Sequence, residues 1–202
     1  MPMVALLLAL AGCSGGGAAP ASPIMAAVLS PATPPASLGD SITAGYTLAS
    51  PTLAYPFLIG SQNLGIDGET AVGAVIDELP KLASAKFVTI FLGTNDVAQG
   101  ESLAAFRSAM QTLVAGARAR SSTVLVVNIP DYGSRAPYAS QHPMIPSYNA
   151  VINSLGVPVV DMYSDATYTA DLAGKDSVDG IHPGPIGQAE IARMVTLMIS
   201  TQ

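Results

Sequence analysis

The sequence predicts an α/β domain, a parallel sheet covered by helices on both faces. Three observations predict it. From Ala36 onward, strand-like runs alternate with segments whose apolar residues recur at helical spacing. The runs are continuously apolar rather than alternating with polar residues, as in strands buried on both sides. Half of the 202 residues are hydrophobic and only 11% are charged, against about 25% in an ordinary globular protein. At this length one domain is expected, with at most a tail.

The elements follow in order. Met3 to Ala11 (MVALLLALA) is an apolar run, too short to span a bilayer, which takes about 20 residues. It fits the apolar region of a signal peptide. It ends in Leu10-Ala11-Gly12-Cys13, before Ser14-Gly15-Gly16-Gly17. This resembles the lipobox of bacterial lipoproteins, in which a peptidase cuts before a cysteine that is then lipidated. Met1-Pro2 ahead of the run carries no Lys or Arg, a departure from that pattern. Residues 1–13 are therefore expected to be a signal peptide, with Cys13 the lipidation site. Residues 14–35, rich in Gly, Ala, Ser and Pro, read as a flexible tether, and 36–202 as the folded domain. The expectation is an exported protein: a periplasmic or cell-envelope lipoprotein, or a secreted one if the lipobox is not used.

Within the domain, Val72, Val75, Ile76 and Leu79 form a helical stripe behind a possible Thr70 N-cap. Lys86 to Leu92 is the strongest strand run, followed by a long helix with Leu103, Phe106, Met110, Leu113, Val114 and Ala117 on one face. Thr123 to Val127 and Val157 to Val160 are further strands, and Ile191, Met194, Val195 and Met198 a last helical stripe. The longest loop candidate, Pro130 to Pro146, holds Tyr132, Tyr138, His142 and four prolines; loops this long are usually functional or mobile.

Composition excludes several functions. Eight Lys/Arg against 14 Asp/Glu give a net charge of −6, with no charge before Asp40. Too few cations exist to neutralise a phosphate backbone. A single cysteine rules out an internal disulfide framework and a Cys-cluster zinc site. No Gly-x-x-x-x-Gly-Lys-Ser/Thr stretch exists for a nucleotide.

Four segments carry candidate chemistry: Gly39 to Tyr46, Asn63 to Thr70, Gly93 to Asp96, and Asp179 to Pro183. Each follows an expected strand or opens an expected helix, where parallel sheets place their working residues. A serine hydroxyl needs a base, usually histidine near neutral pH. Of the two histidines, His142 has no carboxylate near it in sequence, whereas His182 has Asp179 three residues before it, close enough to orient the ring. An oxyanion needs pre-aimed donors; the backbone N–H groups of Ser41 and Gly68 and the Asn95 amide are the natural ones. Each segment also has a structural reading. Asp40 and Ser41 can cap a helix, Gly93 to Asp96 can be a turn, and Asp179 with His182 can be a loop ion pair or two metal ligands.

Together the segments GDSITAGY, NLGIDGET, FLGTND and DGIHP resemble, in order and spacing, the blocks of the SGNH hydrolases, or GDSL-type esterases and lipases. The resemblance covers nearly all of 36–202. It implies a three-layer α/β/α sandwich, flavodoxin-like, with five parallel strands. It implies Ser41 as nucleophile, His182 as base and then acid, Asp179 as its orienting partner, and Gly68 and Asn95 joining the Ser41 amide in the oxyanion hole. It implies hydrolysis of a small ester with no metal or organic cofactor. A carbohydrate O-deacetylase or acyltransferase on the same site is the alternative, as is a non-catalytic lipoprotein binding module. One departure concerns the strand before Ser41: Pro34 and Pro35 shorten it to about three residues, although the implied sheet order makes it interior. Tyr132, Tyr138, Met144 and Tyr148 suggest a modestly apolar cleft, or simply the packing of the long loop.

Overall fold

The computed structural model describes residues 33–133 and 139–202. The leader with Cys13, and Tyr138 in the long loop, lie outside the described residues. The domain begins with β1 (Ala36–Gly39) and a single turn, α1 (Ser41–Ala44). Then come α2 (Tyr55–Leu58), β2 (Gln62–Asn63) and α3 (Ala71–Asp77). β3 (Val88–Phe91) leads into α4 (Thr94–Gln99) and the long α5 (Leu103–Arg118), and β4 (Val124–Val127) precedes α6 (Ile145–Asn153). The chain closes with β5 (Val159–Val160), α7 (Ala166–Ala173) and α8 (Pro185–Ser200).

The five strands are all parallel, in the order β2-β1-β3-β4-β5. This is the flavodoxin-like order, with its reversal between β1 and β3. Helices cover both faces: α3 packs on α5 and α5 on α6, while α8 packs on α2 and α7. The loops after β1 and β3 leave the sheet at the reversal, where the crevice of such folds opens.

β1 is short, as the prolines require, yet every one of its residues is buried and paired to β3 from Ala36↔Val88 to Gly39↔Phe91. The prolines lack N–H groups but keep their carbonyls. Pro34 accepts from Lys86 N at 3.2 Å on one side, and Pro35 from Gln62 N at 2.8 Å on the other. Both prolines ahead of β1 are therefore hydrogen-bonded to the segments on either side of it.

The core lies between sheet and helices. Phe106, Met110, Leu113, Val114 and Ala117 of α5 are buried as their spacing predicts, with Leu103 half-exposed at the first turn. Thr70 caps α3 through its hydroxyl, which accepts from Gly73 N at 3.1 Å. The expected stripe is only half met, however: Val75 and Leu79 pack partly buried against the core. Val72 is 40% and Ile76 68% exposed, and the fully buried residues are Ala71, Ala74 and Glu78. Their spacing of three and four is also helical. The alanines let the helix lie close, and a carboxylic acid ends the stripe.

Candidate active site

Ser41 is the first residue of α1. Asp40, the N-cap, accepts from Ile42 N at 2.9 Å through Oδ1, so capping and presentation of Ser41 are one piece of local structure. The C-cap, Gly45, has φ 87° and closes the turn after four residues. The Ser41 hydroxyl lies 2.8 Å from Nε2 of His182. His182 Nδ1 lies 2.6 Å from Asp179 Oδ2. The other oxygen of Asp179 accepts the Ile181 and His182 amides, each at 2.9 Å. Burial alone would raise the Asp179 carboxyl, but these hydrogen bonds and the adjacent imidazole outweigh it and hold it below the usual range. The carboxylate is thereby fixed at both ends, and it fixes the ring.

A cavity of about 200 Å³ opens over this array, lined by Ser41, Tyr46, Gly68, Thr94, Asn95, Ile181 and His182. Gly68 adopts φ 78°, a left-handed conformation that favours glycine, and an added Cβ would meet nothing within 4 Å. Its glycine requirement is thus one of backbone conformation, not space. Asn95, in the first turn of α4, donates through Nδ2 to the Glu69 carbonyl at 2.9 Å. That bond orients the amide and leaves its second N–H. Asp96 beside it is buried, and both of its oxygens accept from Ala71 N at 3.1 Å, tying α4 to the start of α3. Burial pushes Asp96 up to about 6 and Asp40 up to about 7.

The structure brings Ser41, Asp179, His182, Gly68 and Asn95 to one place. Tyr46, quoted within the first segment but given no role, is the residue sequence reasoning missed. Its ring is tilted over the His182 ring at 4.8 Å between centroids and stays half-exposed. His142 is not without a carboxylate: Asp131, eleven residues away, lies 2.6 Å from its Nε2, a pairing that loop closure makes and sequence distance hides. Tyr132 is buried beside the His142 ring, and Tyr148 is buried against Phe106 with its hydroxyl donating to the Glu101 carbonyl. These two tyrosines pack the loop and the α5–α6 contact, and neither lines the Ser41 cavity. Among the described residues, no cluster of three or more His, Cys, Asp or Glu is placed to hold a metal, and no helix is long and apolar enough to cross a membrane.

A sequence model of the GDSL-like lipase/acylhydrolase family matches residues 37–190. No curated protein matches the sequence. A member of the lipolytic G-D-S-L family from Veillonella parvula superposes with a TM-score of 0.69 at 17% identity, over 85% of this chain and all of that one. A GDSL-like lipase from Bacteroides thetaiotaomicron gives 0.67 at 21% identity, over 87% and 93% of the two chains. A catalytic mutant of an acetylxylan esterase from Geobacillus stearothermophilus gives 0.63 at 18%, over 83% and 94%. At these identities the likeness is one of fold.

Proposed function

Because the chain belongs to the GDSL-like lipase/acylhydrolase family, whose members are carboxylic ester hydrolases, we propose that it is a serine esterase acting through an acyl-Ser41 intermediate on short-chain acyl or aryl esters. The observation that carries this reading is the unbroken chain Ser41 Oγ–His182 Nε2, His182 Nδ1–Asp179 Oδ2. His182 takes the Ser41 proton as the oxygen attacks the acyl carbon, and Asp179 stabilises the imidazolium formed. The Ser41 and Gly68 amides and the free N–H of Asn95 receive the oxyanion. His182 then protonates the departing alcohol, and water repeats the sequence to release the acid. The cavity of about 200 Å³ favours a small acyl group.

The half-exposed Tyr46 ring at the rim favours a second reading. An aromatic face beside the base suits the flat side of a sugar, which makes the site that of a carbohydrate O-deacetylase or an acyltransferase. Aryl and alkyl esters of two to twelve carbons, run beside acetylated oligosaccharides with and without an added sugar acceptor, separate these readings. The esterase reading expects acetyl and propionyl esters to lead in kcat/KM. A serine-directed organophosphonate that fails to label Ser41 would overturn the catalytic reading and leave a binding module.

A further inference from the structure

β2 stops at Asn63, two residues into its pairing with β1. Beyond it the ladder continues only through main-chain donors of the following loop: Leu64 N donates to Ser37 O and Ile66 N to Gly39 O, each at 2.9 Å. The Gly39 carbonyl thus faces the β2 side, and the N–H of a strand residue faces the same side as its carbonyl. That N–H donates not to main chain but to Glu78 Oε2 at 2.8 Å. Glu78 follows α3, is wholly buried, and reaches the sheet past Ala71 and Ala74. Its other oxygen, Oε1, has no hydrogen-bond partner among the described residues, and neither does Asp40 Oδ2 on the other side of Gly39.

We propose that Glu78 is a positioning residue for the nucleophile: its side chain supplies, as the neutral carboxylic acid, the acceptor that the end of β1 lacks, and so fixes the turn from which Ser41 projects. The proposal rests on Ser41 being the nucleophile. Gly39 is two residues from Ser41, and no side chain of its own can anchor it. An added Cβ would lie 2.0 Å from Thr43 Oγ1 and 2.6 Å from the Phe91 carbonyl. The Glu78 hydrogen bond therefore holds the Gly39 N–H, beside the Ile66 bond to its carbonyl and the Asp40 bond to Phe91. The neutral state follows from the surroundings. Burial is the largest influence and favours the protonated form; Asp40 and Glu69 add to it, and the Gly39 amide and Lys81 oppose it, leaving the carboxyl near 8. A buried carboxylate without a cation at contact distance is costly, and no ion pair to Glu78 exists among the described residues.

Three proteins test this: wild type, Glu78→Gln and Glu78→Ala, with thermal melts confirming folding. Glutamine keeps an oxygen acceptor for Gly39 but cannot ionise. The expectation is that Glu78→Ala lowers kcat about 10- to 100-fold with KM little changed, since small displacements of a reacting group cost on that scale, and that Glu78→Gln stays within about threefold of wild type. The Glu78 carboxyl should ionise in wild type with a midpoint near 8. The Gly39 amide nitrogen resonance should show a step at that midpoint in wild type that is missing in Glu78→Gln, beside the step near 7 that the adjacent Asp40 gives in both. A folded Glu78→Ala with wild-type kcat, or a Glu78→Gln that loses more than about tenfold, overturns the positioning role. A step below pH 6 that Glu78→Gln abolishes overturns the neutral acid. If Glu78→Ala does not fold, the glutamine variant and the resonance decide. Activity surviving in Ser41→Ala would instead fault the nucleophile, while the Gly39 resonance still reports on Glu78.

Discussion

In the proposed mechanism Ser41 and His182 act as a unit, so each alanine substitution should remove nearly all turnover, by three or more orders of magnitude in kcat. Assays of Ser41→Ala and His182→Ala on an acetyl ester check this, and a variant keeping a tenth of wild-type kcat/KM would contradict the mechanism. Asp179→Asn should cost less than either, and through the tautomer: its Oδ1 stays on the Ile181 and His182 amides, so Nδ2 donates to His182 Nδ1. Asn95→Ala should lower kcat about 100- to 1000-fold with KM nearly constant, because its bond tightens as charge develops; a change in KM alone would make Asn95 a substrate-binding residue. These side chains were legible because their chemistry forces particular residue types into short segments. Glu78 was not. An acid in a helix reads as solvent-facing, and only the small residues Ala71 and Ala74 on its own face hint that it turns inward. Tyr46 was equally silent, since its contact with His182 joins residues 136 positions apart.

The elements show the same division. α5 was legible because sixteen residues carry one buried stripe from Phe106 to Ala117. α3 is legible in part: Val75 and Leu79 pack against the core, while Val72 and Ile76 stay exposed because the fully buried line is Ala71, Ala74 and Glu78, which ends at Gly39. Its Thr70 cap was legible, since capping is a local matter. β1 was expected to be short, and its stability comes from neighbours on both sides and from the proline carbonyls, which no propensity scale weighs. The tightest point of that strand is Gly39. Gly39→Ala should destabilise the domain by about 1–3 kcal/mol or more, as overpacking does, because the clash includes the Phe91 main chain. Urea melts measure it, and an unchanged midpoint would show that the strand end can move.

Three buried carboxyls, Asp40, Glu78 and Asp96, have folded-state values raised by burial to about 7, 8 and 6. Each binds its proton more tightly folded than unfolded, so the stability it contributes is full below the unfolded value and is lost as pH rises through the folded one. Asp161, Asp179 and Glu190 are lowered, and their contribution is lost only as pH falls through their folded values. The melting temperature should therefore peak near pH 4 and decline up to about pH 8; thermal scans check it, and a rise over that range would contradict the burial of these groups. The leader adds a prediction for the intact chain. If Cys13 is lipidated, several acyl chains hold firmly where one would not, so the protein should stay with membranes through a high-salt wash. Cys13→Ser should release it or leave it unprocessed with ester hydrolysis unchanged. Mass spectrometry of the mature N-terminus decides, and a cut near Ala19 or Ala21 would mean a secreted enzyme. Such anchoring would concentrate the domain in two dimensions, where chains meet often. There the outermost strands matter. β2 and β5 have two residues each, and β2 is polar and exposed. A foreign strand finds almost no row of unpaired amides to copy. Among the described residues the sheet has four-residue strands in its middle and two-residue strands at both rims, so crowded neighbours meet little edge to pair with.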